Sequence, residues 1–318
     1  MIQEIKQRVI NGEQINKDEA LKIYSYPDIN SLCDAADELT THFVGRNIDS
    51  CSIVNARSGM CGEDCKWCAQ ATRFNTGCKT YNFIDHQEVM NAAKTNEKEG
   101  IHRLSLVTSG RKISNSDLPH FCEIYRQLSA NTSLYLCASM GLLDKQQLIA
   151  LKNAGVKRYH CNLETSKEFF PSLCSSHTTE DKKNTIRAAQ EVGMTICSGG
   201  IIGMGESVED RINLAFELRE LDVDSVPINI LNPIKGTPLE NTPLISEEDV
   251  IRTVATFRFI LPQKSLRFAG GRMRLSQQTM KRILTGGMNG ALMGDMLTTI
   301  SNQIADDRIL FESANMNF

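Results

Sequence analysis

Three cysteines in the segment Ser58-Gly-Met-Cys61-Gly-Glu-Asp-Cys65-Lys-Trp-Cys68-Ala-Gln stand in the spacing C-x3-C-x2-C. Three thiolates on one short loop can hold three corners of a cubane 4Fe–4S cluster and leave the fourth iron without a protein ligand. An amino acid such as methionine can chelate that open iron through its amine and carboxylate. This sets a sulfonium beside a one-electron donor and permits reductive cleavage to an organic radical. Structural zinc is the competing use of such a loop, but it requires four N or S ligands, usually as two pairs, and no fourth Cys or His stands at that spacing.

Elements must bring such a loop to a site. From about residue 49, short β-branched runs alternate with segments of helical period, the pattern of βα units around a parallel sheet. The pattern predicts strands at 52–56, 103–108, 133–138, 158–163, 195–198, 225–230, 266–269 and 291–293. Eight strands imply a closed α/β fold, a (β/α)8 barrel of the TIM type over residues 49–318. An N-terminal extension of two or three polar helices, residues 1–48, precedes it and is broken around Tyr26-Pro27-Asp28. Asp144, Ser207 and Ser246 read as helix N-caps. A Rossmann-type open sheet would carry Gly-x-Gly-x-x-Gly after its first strand, and none is present. In a barrel, chemistry sits at the C-terminal strand ends. The Cys61 loop follows strand one, Cys137 lies in strand three, Cys161 and Asn162 in strand four, Cys197 in strand five, Asn229 in strand six and Arg267 in strand seven.

The chain has 318 residues, 41% hydrophobic, with a formal net charge of −3. Its basic residues are interspersed with acidic ones, so no field for nucleic acid exists. No apolar run approaches the ~20 residues that span a bilayer, and no apolar leader opens the chain, so the expected location is the cytoplasm. Reduced cysteines there either pack as small hydrophobes or bind soft metals. Of the eleven, Cys33, Cys122 and Cys174 read as packing residues, while Cys51 and Cys78 have no assigned role. The six histidines form no visible triad or zinc constellation.

The cysteine loop resembles the signature of radical S-adenosylmethionine enzymes. The wider sequence resembles the biotin synthase family through Cys61-Gly-Glu-Asp-Cys65-Lys-Trp-Cys68-Ala-Gln, Asn162-Leu-Glu-Thr-Ser, Cys197-Ser-Gly-Gly-Ile-Ile-Gly-Met-Gly-Glu-Ser, Val226-Pro-Ile-Asn229, Lys235-Gly-Thr-Pro and Arg267-Phe-Ala-Gly-Gly-Arg272. The likeness runs from about Asn55 to Gly294. It implies a 4Fe–4S cluster on Cys61, Cys65 and Cys68, and S-adenosylmethionine held by the main chain around Trp67 and by Asn162, Glu164 and Lys182. It also implies insertion of sulfur into dethiobiotin, whose ureido ring Asn162 and Asn229 would bind, with the sulfur coming from a second, auxiliary cluster. Glu164 and Lys182 stand where the family usually has Asp and Arg. A lysine keeps the charge but lacks the planar fork. The glycines at 199, 200, 203 and 205 read as positions where backbone approaches S-adenosylmethionine closely.

The family's auxiliary centre is a 2Fe–2S unit on three cysteines and an arginine, and the first of those cysteines is here Ser105. Hydroxyl is a poor partner for iron that prefers sulfur. With Cys161 on strand four, the expectation is a different auxiliary cluster on Cys137, Cys161 and Cys197, with Arg267 as ligand or counter-charge. A four-iron cluster carrying an extra sulfide is favoured over 2Fe–2S. The resemblance further implies a one-electron donor such as flavodoxin or ferredoxin, iron–sulfur assembly proteins and a homodimer. The alternative is another radical enzyme on a similar barrel, such as a hydrogenase maturase or a methylornithine synthase-like mutase. A non-catalytic iron–sulfur scaffold would not need polar groups at so many strand ends.

Overall fold

Side chains of a strand alternate between its two faces, so in a barrel every second residue faces the lumen. The computed structural model, which describes residues 1–294 and 304–318, follows that rule strand by strand. The strands are β1 (Asp49–Arg57), β2 (Arg103–Thr108), β3 (Tyr135–Ser139), β4 (Arg158–His160), β5 (Thr195–Cys197), β6 (Gly200–Ile202), β7 (Ser225–Ile230), β8 (Ser265–Phe268) and β9 (Gly290–Leu292). All pair in parallel, in the order β5-β4-β3-β2-β1-β9-β8-β7-β6, and a β5–β7 pair closes the ring. Leu104, Leu106, Leu136, Ala138, Tyr159, Ile196, Val226 and Leu266 point outward and are fully or almost fully buried beneath the helices.

The helices cover the barrel in chain order: α1 (Ile2–Ile10), α2 (Lys17–Tyr24), α3 (Ile29–Phe43), α4 (His86–Lys98), α5 (Leu118–Asn131), α6 (Lys145–Asn153), α7 (Thr179–Glu191), α8 (Val208–Glu220), α9 (Glu247–Ile260), α10 (Gln277–Leu284) and α11 (Ile304–Ser313). The expected N-caps are present. Asp144 and Ser207 form complete capping boxes and Ser246 caps α9. The break at Tyr26-Pro27-Asp28 is where Asp28 caps α3. Helix α2 packs onto α8 and α9, α3 packs onto α9, and α1 packs onto α3; the Tyr24 hydroxyl donates to Asp249 Oδ1 at 2.5 Å.

The eight-stranded barrel has one irregular position. Its fifth stave is divided into β5 and β6 because the chain between them runs against two neighbouring backbones. A Cβ on Gly199 would lie 2.0 Å from Pro227 O, and one on Gly200 would lie 2.4 Å from Glu164 O. The demand for glycine at these two positions thus comes from the protein's own main chain. The fourth strand is also shorter than the sequence pattern suggests and stops at His160.

Charges lie at the N-terminal end of the barrel lumen. Asp49 on β1 accepts from Arg103 Nε on β2 and from Arg267 Nη2 on β8, each at 2.6 Å, and lies 3.9 Å from Arg158 Nη1 on β4. Arg267 Nη1 also donates to Asp49 O at 2.8 Å. Burial opposes the charge of Asp49, but Arg267 and Arg103 outweigh it and hold the carboxyl down to about 2. Arg103 lies over the Tyr135 ring, 4.3 Å from its centroid. One carboxylate faces three guanidinium groups, so this floor carries excess positive charge.

Breaking a buried ion pair from one side leaves uncompensated charge and costs about 3–5 kcal/mol. Asp49→Asn is therefore expected to lower unfolding stability by that amount in urea titrations at neutral pH. Because the folded-state value lies below the ordinary 3.8, the stabilisation is complete above about pH 4 and is lost as pH falls through about 2. The gap between parent and variant should close over that interval.

Candidate active site

The loop after β1 is closed on itself by backbone bonds that need no particular side chain. Cys61 N–H donates to Gln70 O at 3.1 Å, Thr72 N–H to Cys61 O at 2.8 Å, and Cys68 N–H to Cys65 O at 3.0 Å. Cys61, Cys65 and Cys68 thereby line one cavity of about 200 Å³, together with Trp67, Cys161, Asn162, Glu164, His177 and Lys182. The loop is also tied to the segment before α7. Lys66 N–H donates to Leu173 O, and Asp64 Oδ1 accepts from the Ser175 and Ser176 N–H groups at 3.0 Å each. Glu63 Oε2 meets His177 Nδ1 at 2.6 Å and accepts from Ser176 Oγ at 2.7 Å. The Ser175 hydroxyl leads the contacts that hold the Asp64 carboxyl well below the usual range.

Cys174 is buried, as expected of a packing residue, but polar groups surround its thiol. Its Sγ lies 3.7 Å from Cys65 Sγ and 3.4 Å from His177 Nδ1, and among the described residues Cys65, Cys174 and His177 stand close enough to share an ion. The signal available in the sequence was Cys174-x2-His177, which is too short to notice without the loop it faces. Burial pushes the Cys68 thiol up to about 11. Such a thiol yields its proton when a cation replaces it.

Between loop and floor stand the polar residues singled out above. Glu164 adopts φ +76°, a left-handed conformation uncommon for a residue with a Cβ. Two bonds enforce it: Glu164 N–H donates to Gly199 O at 3.1 Å and Ile201 N–H to Glu164 O at 2.8 Å. Asn162 Oδ1 accepts from Gly199 N–H at 2.9 Å, while its amide group donates to Glu164 Oε2 at 3.3 Å. Asn229 braces the other side, accepting from Gly270 N–H at 2.9 Å and donating to Gly200 O at 3.1 Å. Each amide keeps one N–H for a ligand. Lys182 is buried with Nζ 5.7 Å from the Phe170 ring centroid. Desolvation works against its charge, yet Cys161, Glu164 and Cys65 keep its pKa raised. Trp67 packs edge-on against Phe170 at 6.3 Å.

A second cavity of about 270 Å³ fills the lumen beneath. Cys51, Arg103, Ser105, Cys137, Arg158, His160, Cys197 and Arg267 line it, with Asn162, Glu164 and Asn229 at its upper end. The structure brings Cys137, Cys197 and Arg267 together as the resemblance implies, but Cys161 does not join them. Arg158, His160 and Asn162 face the lumen, and the residue between the last two faces away. Cys161 thus packs on the outer side of β4, where it borders only the loop cavity, beside Lys182. Cys51 stands in the lumen instead, on the same cavity as Cys137. The neighbouring Cys137 thiol leads the causes that pull Cys51 down to about 7, against burial and with help from Arg267. Asp49, Arg103 and Arg158 went unassigned in the sequence. Their signal was a charged first residue on each of three buried strands.

The donor sets fit iron–sulfur clusters. The loop offers three thiols, its Glu63 and Asp64 carboxylates being engaged with the segment 175–177, and the lumen offers thiols above an arginine floor. Around the lumen Ser105 Oγ, Arg103 Nη1 and Arg158 Nη1 have no hydrogen-bond partner among the described residues. Buried donors without partners are uncommon in finished interiors, and these flank the cavity where an anionic cluster would lie.

This barrel, with a three-cysteine loop at its C-terminal mouth, defines a radical S-adenosylmethionine enzyme, and residues 57–218 match the model of the Radical SAM superfamily. Residues 227–317 match the Biotin and Thiamin Synthesis associated domain. The chain is 45% identical over 312 residues to a biotin synthase of Parabacteroides distasonis, covering 98% of this chain and 95% of the relative. It is 48% identical over 307 residues to one of Porphyromonas gingivalis, covering 96% and 93%. The chain belongs to the biotin synthase family. Among solved structures, methylornithine synthase superimposes with a TM-score of 0.84 at 20% identity, covering 98% of this chain and 96% of that one. The hydrogenase maturase HydG gives 0.83 at 15%, covering 99% and 74%. At such identities these two likenesses concern the fold alone. Among the described residues no helix is long and apolar enough to cross a membrane.

Asp64 links the cysteine loop to a distant segment through charge-assisted bonds, each worth about 1.5–3 kcal/mol. Asp64→Ala should leave the barrel folded and loosen the loop. The expected outcome is severalfold faster loss of loop-bound iron to a chelator, with circular dichroism unchanged.

Proposed function

We propose that this chain inserts sulfur into dethiobiotin to form biotin, using S-adenosylmethionine and two iron–sulfur clusters. One observation carries the reading: two separate thiol sets face one lumen, at its mouth and at its floor, with amide and carboxylate groups between them. When bound, the loop cluster would supply the electron that cleaves S-adenosylmethionine to a 5′-deoxyadenosyl radical, and the auxiliary cluster would supply sulfur.

The protein's own part is to hold and to shield. Cys61, Cys65 and Cys68 would ligate the first cluster, and Cys137, Cys197 and Arg267 belong to the second. Lys182 offers a buried cation to the carboxylate of the methionine moiety, and Glu164 and Asn162 offer acceptors and a donor to hydroxyl groups. The main chain near Trp67 borders the same cavity. Asn229 would direct its spare N–H to the urea oxygen of dethiobiotin, since an amide already fixed by Gly200 and Gly270 needs no reordering to bind. The buried lumen excludes water from a reactive radical. A four-iron auxiliary cluster remains the favoured form over 2Fe–2S, and its larger charge suits a floor of three guanidiniums against one carboxylate. Flavodoxin or ferredoxin would deliver electrons, and iron–sulfur assembly proteins would rebuild the lost sulfur. The family points to a homodimer in the cytoplasm.

A maturase or mutase on this barrel has no use for thiols at the floor, so Cys137 and Cys197 favour sulfur insertion. The decisive experiment supplies dethiobiotin, S-adenosylmethionine and a low-potential reductant to reconstituted enzyme. Biotin should form together with 5′-deoxyadenosine, and Cys65→Ala should abolish both while remaining folded. Cleavage of S-adenosylmethionine without biotin would reject the proposal. Asn229→Ala should weaken dethiobiotin binding by about 1–3 kcal/mol, the value of one or two buried hydrogen bonds, in equilibrium titration of the reconstituted protein.

A further inference from the structure

We propose that Cys51 is the third thiolate of the auxiliary centre, with Cys137, Cys197 and Arg267, so that β1 supplies the ligand that β2 lacks at Ser105. The inference rests on the reading of the chain as a two-cluster enzyme.

The argument begins with alternation. On β1, Cys51 and Ile53 face the lumen, on β2 Arg103, Ser105 and Val107, on β3 Cys137 and Ser139. Strands β1 and β3 flank β2, so the Cys51 and Cys137 thiols bracket the strand that carries the serine. Both thiols line one cavity, and Cys197 enters the same cavity from β5. The surroundings are wrong for a cysteine that merely packs. Cys51 shares its cavity with Arg103 and Arg267, and Arg267 is drawn to Asp49 and to all three thiols.

Register locates the change. Cys51 pairs with Arg103 while Ser105 pairs with Ile53, so the thiol lies one inward layer, about 6–7 Å along the strand, nearer the arginine floor than the serine does. Ser105 Oγ has no partner among the described residues, and a hydroxyl is a hard ligand for iron that prefers sulfide and thiolate. A centre held from β1, β3 and β5 would lean toward the cations and leave the space above Ser105 to the substrate. Cys161, the other candidate, is turned out of this cavity by the alternation of β4. Ligation exchanges each S–H for an S–Fe bond and sends the proton to water. A resting cluster contains ferric as well as ferrous iron, so both are supplied with sulfide and enter in the oxidation states that the cluster holds.

The test uses the full chain reconstituted anaerobically with ferric and ferrous iron and sulfide, read by iron and sulfide content and by Mössbauer spectroscopy. The parent should hold more than the about four irons of a single cubane. Cys51→Ala should lose the whole excess and keep the loop cluster, whose spectrum also reports that the barrel has folded. Cys51→Ser should shift the auxiliary spectrum. Ser105→Ala and Cys161→Ala should retain the excess iron. An auxiliary spectrum unchanged in Cys51→Ala, or in Cys51→Ser should the alanine variant not fold, would overturn the proposal, as would loss of the excess in Cys161→Ala. A parent holding only the loop cluster would instead reject the two-cluster reading itself.

Discussion

Three guanidinium groups converge on the single carboxylate of Asp49 at the closed end of the barrel, and the interior above is arranged around that imbalance. Arg103, Arg158 and Arg267 come from β2, β4 and β8, so the contact also joins strands distant in sequence. A buried cation needs an anion or a ring of acceptors. Asp49 neutralises one of the three charges, and Tyr135 and Thr195 provide softer contacts to Arg103 and Arg158. The remaining positive field reaches the thiols of Cys51, Cys137 and Cys197. It helps to lower the pKa of Cys51 and Cys197, and it suits an anionic cluster.

The upper half of the lumen obeys a different constraint, the close passage of backbones. Gly199 and Gly200 let the chain run against Pro227 and Glu164 without a Cβ between them. The same approach forces Glu164 into its left-handed conformation and gives Asn162 and Asn229 backbone groups to brace. A side chain held by two backbone bonds keeps its orientation when a ligand enters, which is the condition for binding without loss of rotamer freedom. The cysteine loop closes the mouth, and Asp64 and Glu63 anchor it to the segment 173–177. Radical chemistry at the mouth and a sulfur source at the floor therefore sit at opposite ends of one enclosed volume.

The sequence by itself determined the barrel, since alternation of β-branched runs with capped helices over 250 residues has few other compact solutions. It also determined the cysteine loop, because ligand spacing within one turn is a local property and tertiary contact cannot alter it. Cys137, Cys197, Arg267 and Asn229 were legible for a related reason: each lies on a strand whose end must reach the lumen.

Only the tertiary structure decided which face each strand turned inward. The sequence pattern carries strand four to residue 163, and within such a run nothing local says whether Cys161 or its neighbours face the lumen; a shift of one residue exchanges the two faces. The pairing of β4 with β3 and β5 settled it, turning Arg158, His160 and Asn162 inward and Cys161 outward. Cys51 had the opposite fate, since a cysteine at the start of a strand has no motif until the register with β2 brings it beside Cys137 and the arginines. Cys174 met Cys65, 109 positions away, only because a loop and a helix entry share the barrel mouth. Local spacing carries ligand sets that lie within one turn, whereas sets assembled across strands depend on parity and register, and these are fixed by burial of the whole sheet.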